Sequence, residues 1–360
     1  MRDKKSWARL VCGAALAVAL GAAAAAVSAQ QGPPGGGGAG RGAPQPFTVH
    51  QLKPNVYWVE GGGGNSGVIV GNNGVIVVDA KTSAAGGKEL IDDVAKITPK
   101  PITTVIITHS DGDHVNGLAS FPKGLTIIAH ENCKTEMQAA QGPAAAAIAD
   151  YIPTRTVMKN TEDTTIEGVH LRLMHFAPAH TSGDLMVYLP DDKIMFTGDV
   201  VATQSPYPLI HAEKNGSSEG WITTLNGIIK VDVATYVPGH GDAQTKADLQ
   251  KRVADTTARR DQIKALVAQN KSLDEVRQAL NEPPPAQRGG GGAVGGGQAA
   301  MGPGGGAGAP GGGQAGARGG PGGGAGGPGG APAGARGGPG GGGAPNFMDF
   351  TGVVYGEMKK

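Results

Sequence analysis

The chain has 360 residues, enough for one large domain or two small ones. Lys+Arg total 31 and Asp+Glu 30, a net charge of +1, so nothing in the balance calls for nucleic acid or an anionic membrane as a partner. The 64 Gly and 25 Pro crowd toward both ends, leaving residues 47–283 with an ordinary globular composition and length enough for a substantial core.

The N-terminus reads as a secretory signal. Arg2, Lys4, Lys5 and Arg9 precede an apolar run over residues 10–27, and Val27-Ser28-Ala29 supplies the small residues a signal peptidase needs. Residues 1–29 are therefore expected to be removed, and the mature protein to be periplasmic or secreted with no stable membrane anchor. An uncleaved anchor is the alternative, but a run dominated by Ala makes a weak permanent span. Cys12 lies in this signal. Cys133 is then the one thiol of the mature chain and reads as a small core residue. Residues 30–46 form a Gly/Pro-rich leader, expected to be disordered.

Short β-branched runs follow at residues 56–59, 67–70 and 75–78. They read as strands, with a mobile substrate-side loop at Gly61-Gly62-Gly63-Gly64 and a hairpin turn at Asn73-Gly74. Leu90, Ile91, Val94 and Ile97 share one face of a helix predicted over 85–97, stopped by Pro99 and Pro101. A buried strand covers 102–108. A short helix at 115–121, a strand at 125–129 and helical stretches over 131–149, broken at Gly142-Pro143, come next. Strands are predicted at 169–176, 185–189, 193–197 and 235–237, and helices at 218–230, 243–269 and 272–280. Ser272 with Glu275 forms a capping pattern for the last helix. This order of elements suggests two packed sheets with helices outside.

Residues 287–345 are almost wholly Gly, Ala, Pro, Arg and Gln. They cannot bury enough apolar surface to offset their ordering entropy, and the Gly-X-Y period of collagen is missing. A disordered insert is expected there, with the sparse Arg residues a weak pointer to RNA. Residues 346–360 regain Phe347, Phe350, Val353, Val354, Tyr355 and Met358. They are expected to pack back on a catalytic domain spanning 47–286.

The chemistry concentrates in His109-Ser110-Asp111-Gly112-Asp113-His114, where four potential metal ligands fall at the end of a buried strand. Imidazoles and carboxylates converging around a tight turn suit two hard or borderline divalent ions. His180, Asp199 and His240 each follow a separate predicted strand, and layered α/β folds gather such residues at one edge. The other polar candidates take a plainer reading. His50, His130, His170, His175 and His211 are assigned to surface or satisfied core. Tyr207 and Trp221 are left open between substrate contact and packing.

With these residues in place, the sequence resembles the metallo-β-lactamase superfamily over residues 47–280. That family's pattern is His-x-His-x-Asp-His, a later His, a Gly-Asp and a Pro-Gly-His. Here it is matched by His109, Asp113, His114, His180, Gly198-Asp199 and Pro238-Gly239-His240, with Val77-Val78-Asp79 matching its second-strand Asp. The resemblance implies an α/β, four-layer αββα sandwich. It implies one metal held by His109, Asp111 and His180, and another by Asp113, His114 and His240, with Asp199 bridging. Asp113 is also assigned a catalytic role, and Asp79 and Asp184 are assigned to orienting the ligands. The departure is Asp111, where the family places a second His. A carboxylate there adds negative charge, hardens the site toward Mn²⁺ or Fe²⁺ while keeping Zn²⁺ the first choice, and raises the pKa of metal-bound water.

The function implied is hydrolysis of an ester, lactone, amide or β-lactam in a small-molecule substrate by hydroxide at a dinuclear site. Phosphodiester hydrolysis is the alternative that Asp111 suggests. A non-catalytic metal-binding protein, tethered through its Gly-rich segment, is the third.

Overall fold

Period-two burial along the strands builds the layers of this fold. The computed structural model describes residues 46–282 and 349–360. The signal at 1–29, the leader up to residue 45, the 287–345 insert and Phe347 lie outside the described residues. One sheet has seven strands in the order β1-β2-β3-β4-β5-β6-β7. These are β1 (Thr48–Lys53), β2 (Val56–Glu60), β3 (Ser66–Val70), β4 (Val75–Val78), β5 (Ile102–Ile106), β6 (Thr126–His130) and β7 (Arg155–Val157). The other has five, in the order β12-β11-β10-β9-β8. These are β8 (Thr161–Ile166), β9 (Val169–Met174), β10 (Met186–Leu189), β11 (Ile194–Ala202) and β12 (Thr235–His240).

Strands β1 to β4 run antiparallel, and β4 to β7 run parallel. Parallel neighbours need crossovers. These are α1 (Ala84–Ile97), then the short α2 (Gly112–Val115) with a 3₁₀ turn at Asn116–Ser120, then α3 (Glu131–Ala139) with α4 (Pro143–Ala147). In the second sheet α5 (Ser218–Ile229) links the parallel pair β11 and β12. It is joined on that face by α6 (Lys246–Ala268), α7 (Leu273–Ala279) and α8 (Phe350–Met358).

In β4, Val75 and Val77 pack with Leu90 and Val94 of α1, whereas Ile76 and Val78 face the second sheet. In β10, Val187 and Leu189 meet them in the middle, and Met186 and Tyr188 turn outward to Trp221, Leu225 and Leu249. Two mixed sheets flanked by helices are thus the αββα sandwich. Cys133 is fully buried in the outer core of the first sheet. Phe350, Val353 and Val354 of α8 are buried against α5, α6 and α7.

Three differences from the sequence reading have physical causes. Strands β1, β7 and β8 carry no apolar run. Strand β8 alternates exposed and half-buried residues at a sheet edge, and its pairing with β9 makes it a strand. The helix expected over 115–121 is the 3₁₀ turn. Strand β11 continues to Ala202, so Asp199 lies within it, after an irregular register step at Gly198, whose φ is 51°. Among the described residues no helix is long and apolar enough to cross a membrane.

Candidate active site

Strand ends and the turn after β5 bring His109, Asp111, Asp113, His114, His180, Asp199 and His240 to one edge of the sandwich. Three sets of ligand atoms are close enough to share an ion: His109, Asp111 and His180; His109, His114 and Asp199; and Asp113, His114 and His240. Asp199, 5% exposed, stands between the first and last sets. Its carboxylate is 3.3 Å from His114 Nε2, 3.4 Å from His240 Nε2 and 3.9 Å from His180 Nε2.

The hydrogen bonds fix the tautomers. Asp79 Oδ1 accepts from the Thr108 backbone N–H at 2.8 Å, and Oδ2 accepts from Thr108 Oγ1 at 2.7 Å and His114 Nδ1 at 2.8 Å. Since Thr108 Oγ1 spends its proton on Asp79, it accepts from His109 Nδ1 at 2.9 Å. His180 Nδ1 donates to the Leu209 carbonyl at 2.8 Å. All three rings therefore turn Nε2 toward the site, the atom a metal takes from imidazole by displacing any proton on it. The buried atoms His109 Nε2, His114 Nε2 and Asp199 Oδ1 make no well-aligned hydrogen bond, although His114 Nε2 and Asp199 Oδ1 lie 3.3 Å apart. Such groups are costly unless an ion or water completes them. The residues thus fit a pair of divalent cations, each facing two imidazoles and one carboxylate with Asp199 between.

The electrostatics differ from ring to ring: burial lowers His114, but the charges of Asp199 and Asp79 raise it well above its usual pKa. Burial, reinforced by neighbouring His114, holds His109 well below its usual pKa, so its ring is neutral. His180 is pushed down by burial, but its bond to Asp111 and the charge of Asp199 lift it to about 9. A proton thus joins His180 Nε2 to Asp111 Oδ2, 3.2 Å apart, in the metal-free chain. Burial raises Asp111 and Asp113, yet bonds from His180 and His211 to the first, and from His240 to the second, bring both below the ordinary carboxylate range.

Asp184 belongs to none of these ligand sets. Its carboxylate accepts from Ala179 N, Thr181 N and Thr181 Oγ1 at 2.7–3.2 Å, fixing the turn that carries His180. Two close approaches explain glycines in the motifs. A Cβ on Gly239 would fall 1.9 Å from Asp199 Oδ1, and one on Gly64 would fall 2.3 Å from the His114 ring. Gly61-Gly62-Gly63-Gly64, expected to be a mobile substrate-side loop, is instead fastened down. Lys81 Nζ donates to the Val59 and Gly64 carbonyls at 2.6 and 3.0 Å, and the Asn65 amide donates to the Pro238 and Gly241 carbonyls.

Sequence reasoning missed two neighbours of Asp111. His211, assigned there to surface or satisfied core, is 3% exposed, lines the cavity and places Nε2 3.1 Å from Asp111 Oδ2. Lys214 donates to Asp111 Oδ1 at 2.5 Å and to Ser110 Oγ at 3.0 Å, offsetting the charge that Asp111 adds. Neither lies in a motif, and only the fold of the loop after β11 brings them in. Trp221 is a packing residue, fully buried with Nε1 on the Val200 carbonyl, whereas Tyr207 lines the cavity. Of the remaining histidines, His50 stacks on Trp58, and His130 on His175.

Residues 59–240, half of the chain, match the family model described as the metallo-beta-lactamase superfamily. The chain belongs to that superfamily. Among curated relatives, it is 29% identical over 143 residues to the 2,4-dinitroanisole O-demethylase subunit alpha of Nocardioides sp. (strain JS1661), covering 39% of this chain and 41% of the relative. It is 24% identical over 207 residues to a linear primary-alkylsulfatase of Pseudomonas sp. (strain ATCC 19151), covering 46% and 39%. It is 26% identical over 157 residues to a metallo-beta-lactamase type 2 of Bacillus cereus, covering 43% and 58%. The chain spans about two fifths of the length of the first two. Solved structures share the superfamily fold. A stereoselective inverting sec-alkylsulfatase from Pseudomonas sp. superposes with TM-score 0.53 at 17% identity, covering 66% of this chain and 46% of that one. A metallo-beta-lactamase from Pontibacter korlensis gives 0.51 at 17%, covering 59% and 99%.

Proposed function

We propose that this chain is a metal-dependent hydrolase that cleaves an ester, lactone, amide or β-lactam bond. The observation that carries the reading is the pair of two-imidazole, one-carboxylate sets flanking Asp199, with the His109, His114 and His180 Nε2 atoms turned inward. Asp111 gives the first set the same donor types as the second. This borderline chemistry suits Zn²⁺ first, with Mn²⁺ or Fe²⁺ as alternatives. When bound, the ions supply Lewis acidity toward the scissile group and make water a stronger acid.

The chain's own residues do the rest. His109, Asp111 and His180 would hold one ion and Asp113, His114 and His240 the other, with the Asp199 carboxylate available to both. Asp113, with its side chain 34% exposed, keeps an ionised carboxylate at the cavity and acts in catalysis by accepting a hydrogen bond from the attacking water and orienting it. Asp79 and Asp184 fix the rings and the loop around them. Lys214 offsets the charge of Asp111. Hydrolysis of a phosphate or sulfate ester is the second reading, supported by Asp111 and by the likeness to the alkylsulfatases. The basic, apolar and small-residue pattern of residues 1–29 supports export to the periplasm or beyond, which N-terminal sequencing of the mature protein tests.

The activity test is a panel of nitrocefin, a thioester, a lactone, bis-p-nitrophenyl phosphate and p-nitrophenyl sulfate, each with Zn²⁺ or Mn²⁺. Cleavage of a carboxylic acid derivative, abolished by chelation and restored by metal, is the expected result. Full activity without metal would overturn the mechanism, and turnover of the phosphate or sulfate alone would select the second reading. Metal binding without any turnover would leave a metal-binding protein.

A further inference from the structure

The cavity over the candidate metal centre, about 650 Å³, has a lining of two kinds. One part is the ligand set, beside which Leu209 is held by its carbonyl on His180 Nδ1. The rest of the wall includes Tyr207, the Leu209 side chain and, from α8, Phe350 and Thr351, although α8 lies more than a hundred residues beyond His240 in sequence. The Phe350 ring stacks on Tyr207 with centroids 5.4 Å apart and planes 15° from parallel. The helix is fastened at several points. Thr351 Oγ1 donates to Glu282 at 2.6 Å, Arg277 pairs with Asp349 at 3.0 Å, and Glu357 accepts from the Ser218 backbone N–H at 2.8 Å.

The two acids on this wall are already matched. Glu282 pairs with Arg259, and Asp349 with Arg277. The wall therefore presents no unpaired charge to a ligand. Leu209 is 40% exposed, one of three large hydrophobic side chains so exposed among the described residues, and it faces this cavity. An isolated exposed Leu on an open surface means little, but here it lines the same concavity as a stacked aromatic pair and the candidate metal centre.

We infer that Tyr207, Leu209 and Phe350 form a subsite for an uncharged alkyl or aryl group of the substrate, so that α8 sets substrate specificity. The inference rests on the hydrolase reading for the word substrate, and on the cavity wall alone for the ligand's chemistry. A substrate group seated there gains by leaving water and meets rings held rigid by the helix behind them.

The test separates the two readings. The uncharged fluorophore N-phenyl-1-naphthylamine is titrated into the full-length, metal-loaded protein and into Leu209→Asp, whose site is exposed enough to leave folding intact. One-site binding that weakens about ten-fold or more in the variant is expected, the loss that unburying a Leu-sized contact gives. Phe350→Leu, which keeps the core filled but removes the ring stack, should weaken binding to a smaller extent. Absence of binding, or unchanged binding in Leu209→Asp, overturns the inference whether or not the protein is a hydrolase. In parallel, p-nitrophenyl acetate, butyrate and octanoate are compared. The octanoate-to-acetate ratio of kcat/KM should fall in Leu209→Asp, mainly through KM. Metal-dependent cleavage with no chain-length preference in the unmodified protein would leave the hydrolase reading standing and sink the subsite. No ester cleavage at all would count against ester hydrolysis, while the fluorophore titration still decides the subsite.

Discussion

Replacing Asp79 by Asn isolates how one buried carboxylate sets the candidate metal centre. The change is nearly isosteric, and the positive φ of 59° at this position suits Asn as well as Asp, so the backbone has no reason to move. An Asn oxygen can still accept from the Thr108 backbone N–H. Its NH₂ then occupies the place of Oδ2, where His114 Nδ1 now donates at 2.8 Å. Two donors cannot face each other, so the variant favours a His114 ring with its proton on Nε2, the atom that faces Asp199 and would bind metal. Losing one buried charge-assisted bond costs about 1.5–3 kcal/mol. Changing such an outer partner of a ligating His lowers metal affinity by about ten- to hundred-fold. Competition against a chromophoric chelator measures that affinity, and thermal unfolding of the metal-free protein separates it from a folding defect. Metal affinity within two-fold of the unmodified protein would refute the tautomer argument.

Three further outcomes follow from named contacts. Asp111→Ala should lower metal stoichiometry as read by elemental analysis, whereas Asp111→His should keep two ions bound and favour Zn²⁺; full stoichiometry in the Ala variant would remove Asp111 from the ligand set. Lys81, pushed down to about 7 by burial, releases its proton in the folded state well before the unfolded chain does near 10.5. Between these values the unfolded chain binds more protons, so stability should rise with pH by up to about 1.4 kcal/mol per unit. Denaturant unfolding at pH 7, 8 and 9 reads that slope, and Lys81→Met should flatten it. Truncation after Pro345 strips Phe350, Val353 and Val354 from the core and should lower Tm by several degrees. Replacing residues 287–345 by a short linker should change it little, because Arg277 and Glu282 already contact Asp349 and Thr351 across that gap.

Much of this protein was legible in one dimension because the signals are local. The run of Val75, Ile76, Val77 and Val78 between two turns declares a strand buried on both faces, and the capping pattern of Ser272 and Glu275 starts α7 whatever surrounds it. The clustered His109, Asp111, Asp113 and His114, with three lone ligands at later strand ends, marked the residues that the fold brings to one edge. Edge strand β8 was invisible, since its polar sequence becomes a strand only by pairing with β9. Tertiary structure alone decided what surrounds Asp111. His211, Lys214 and the ring of Phe350 carry no local pattern, and they reach the cavity through loop geometry and a helix remote in sequence. Local periodicity states which face of an element avoids water. It does not say which distant side chain will stand across from it, because that depends on how whole layers pack.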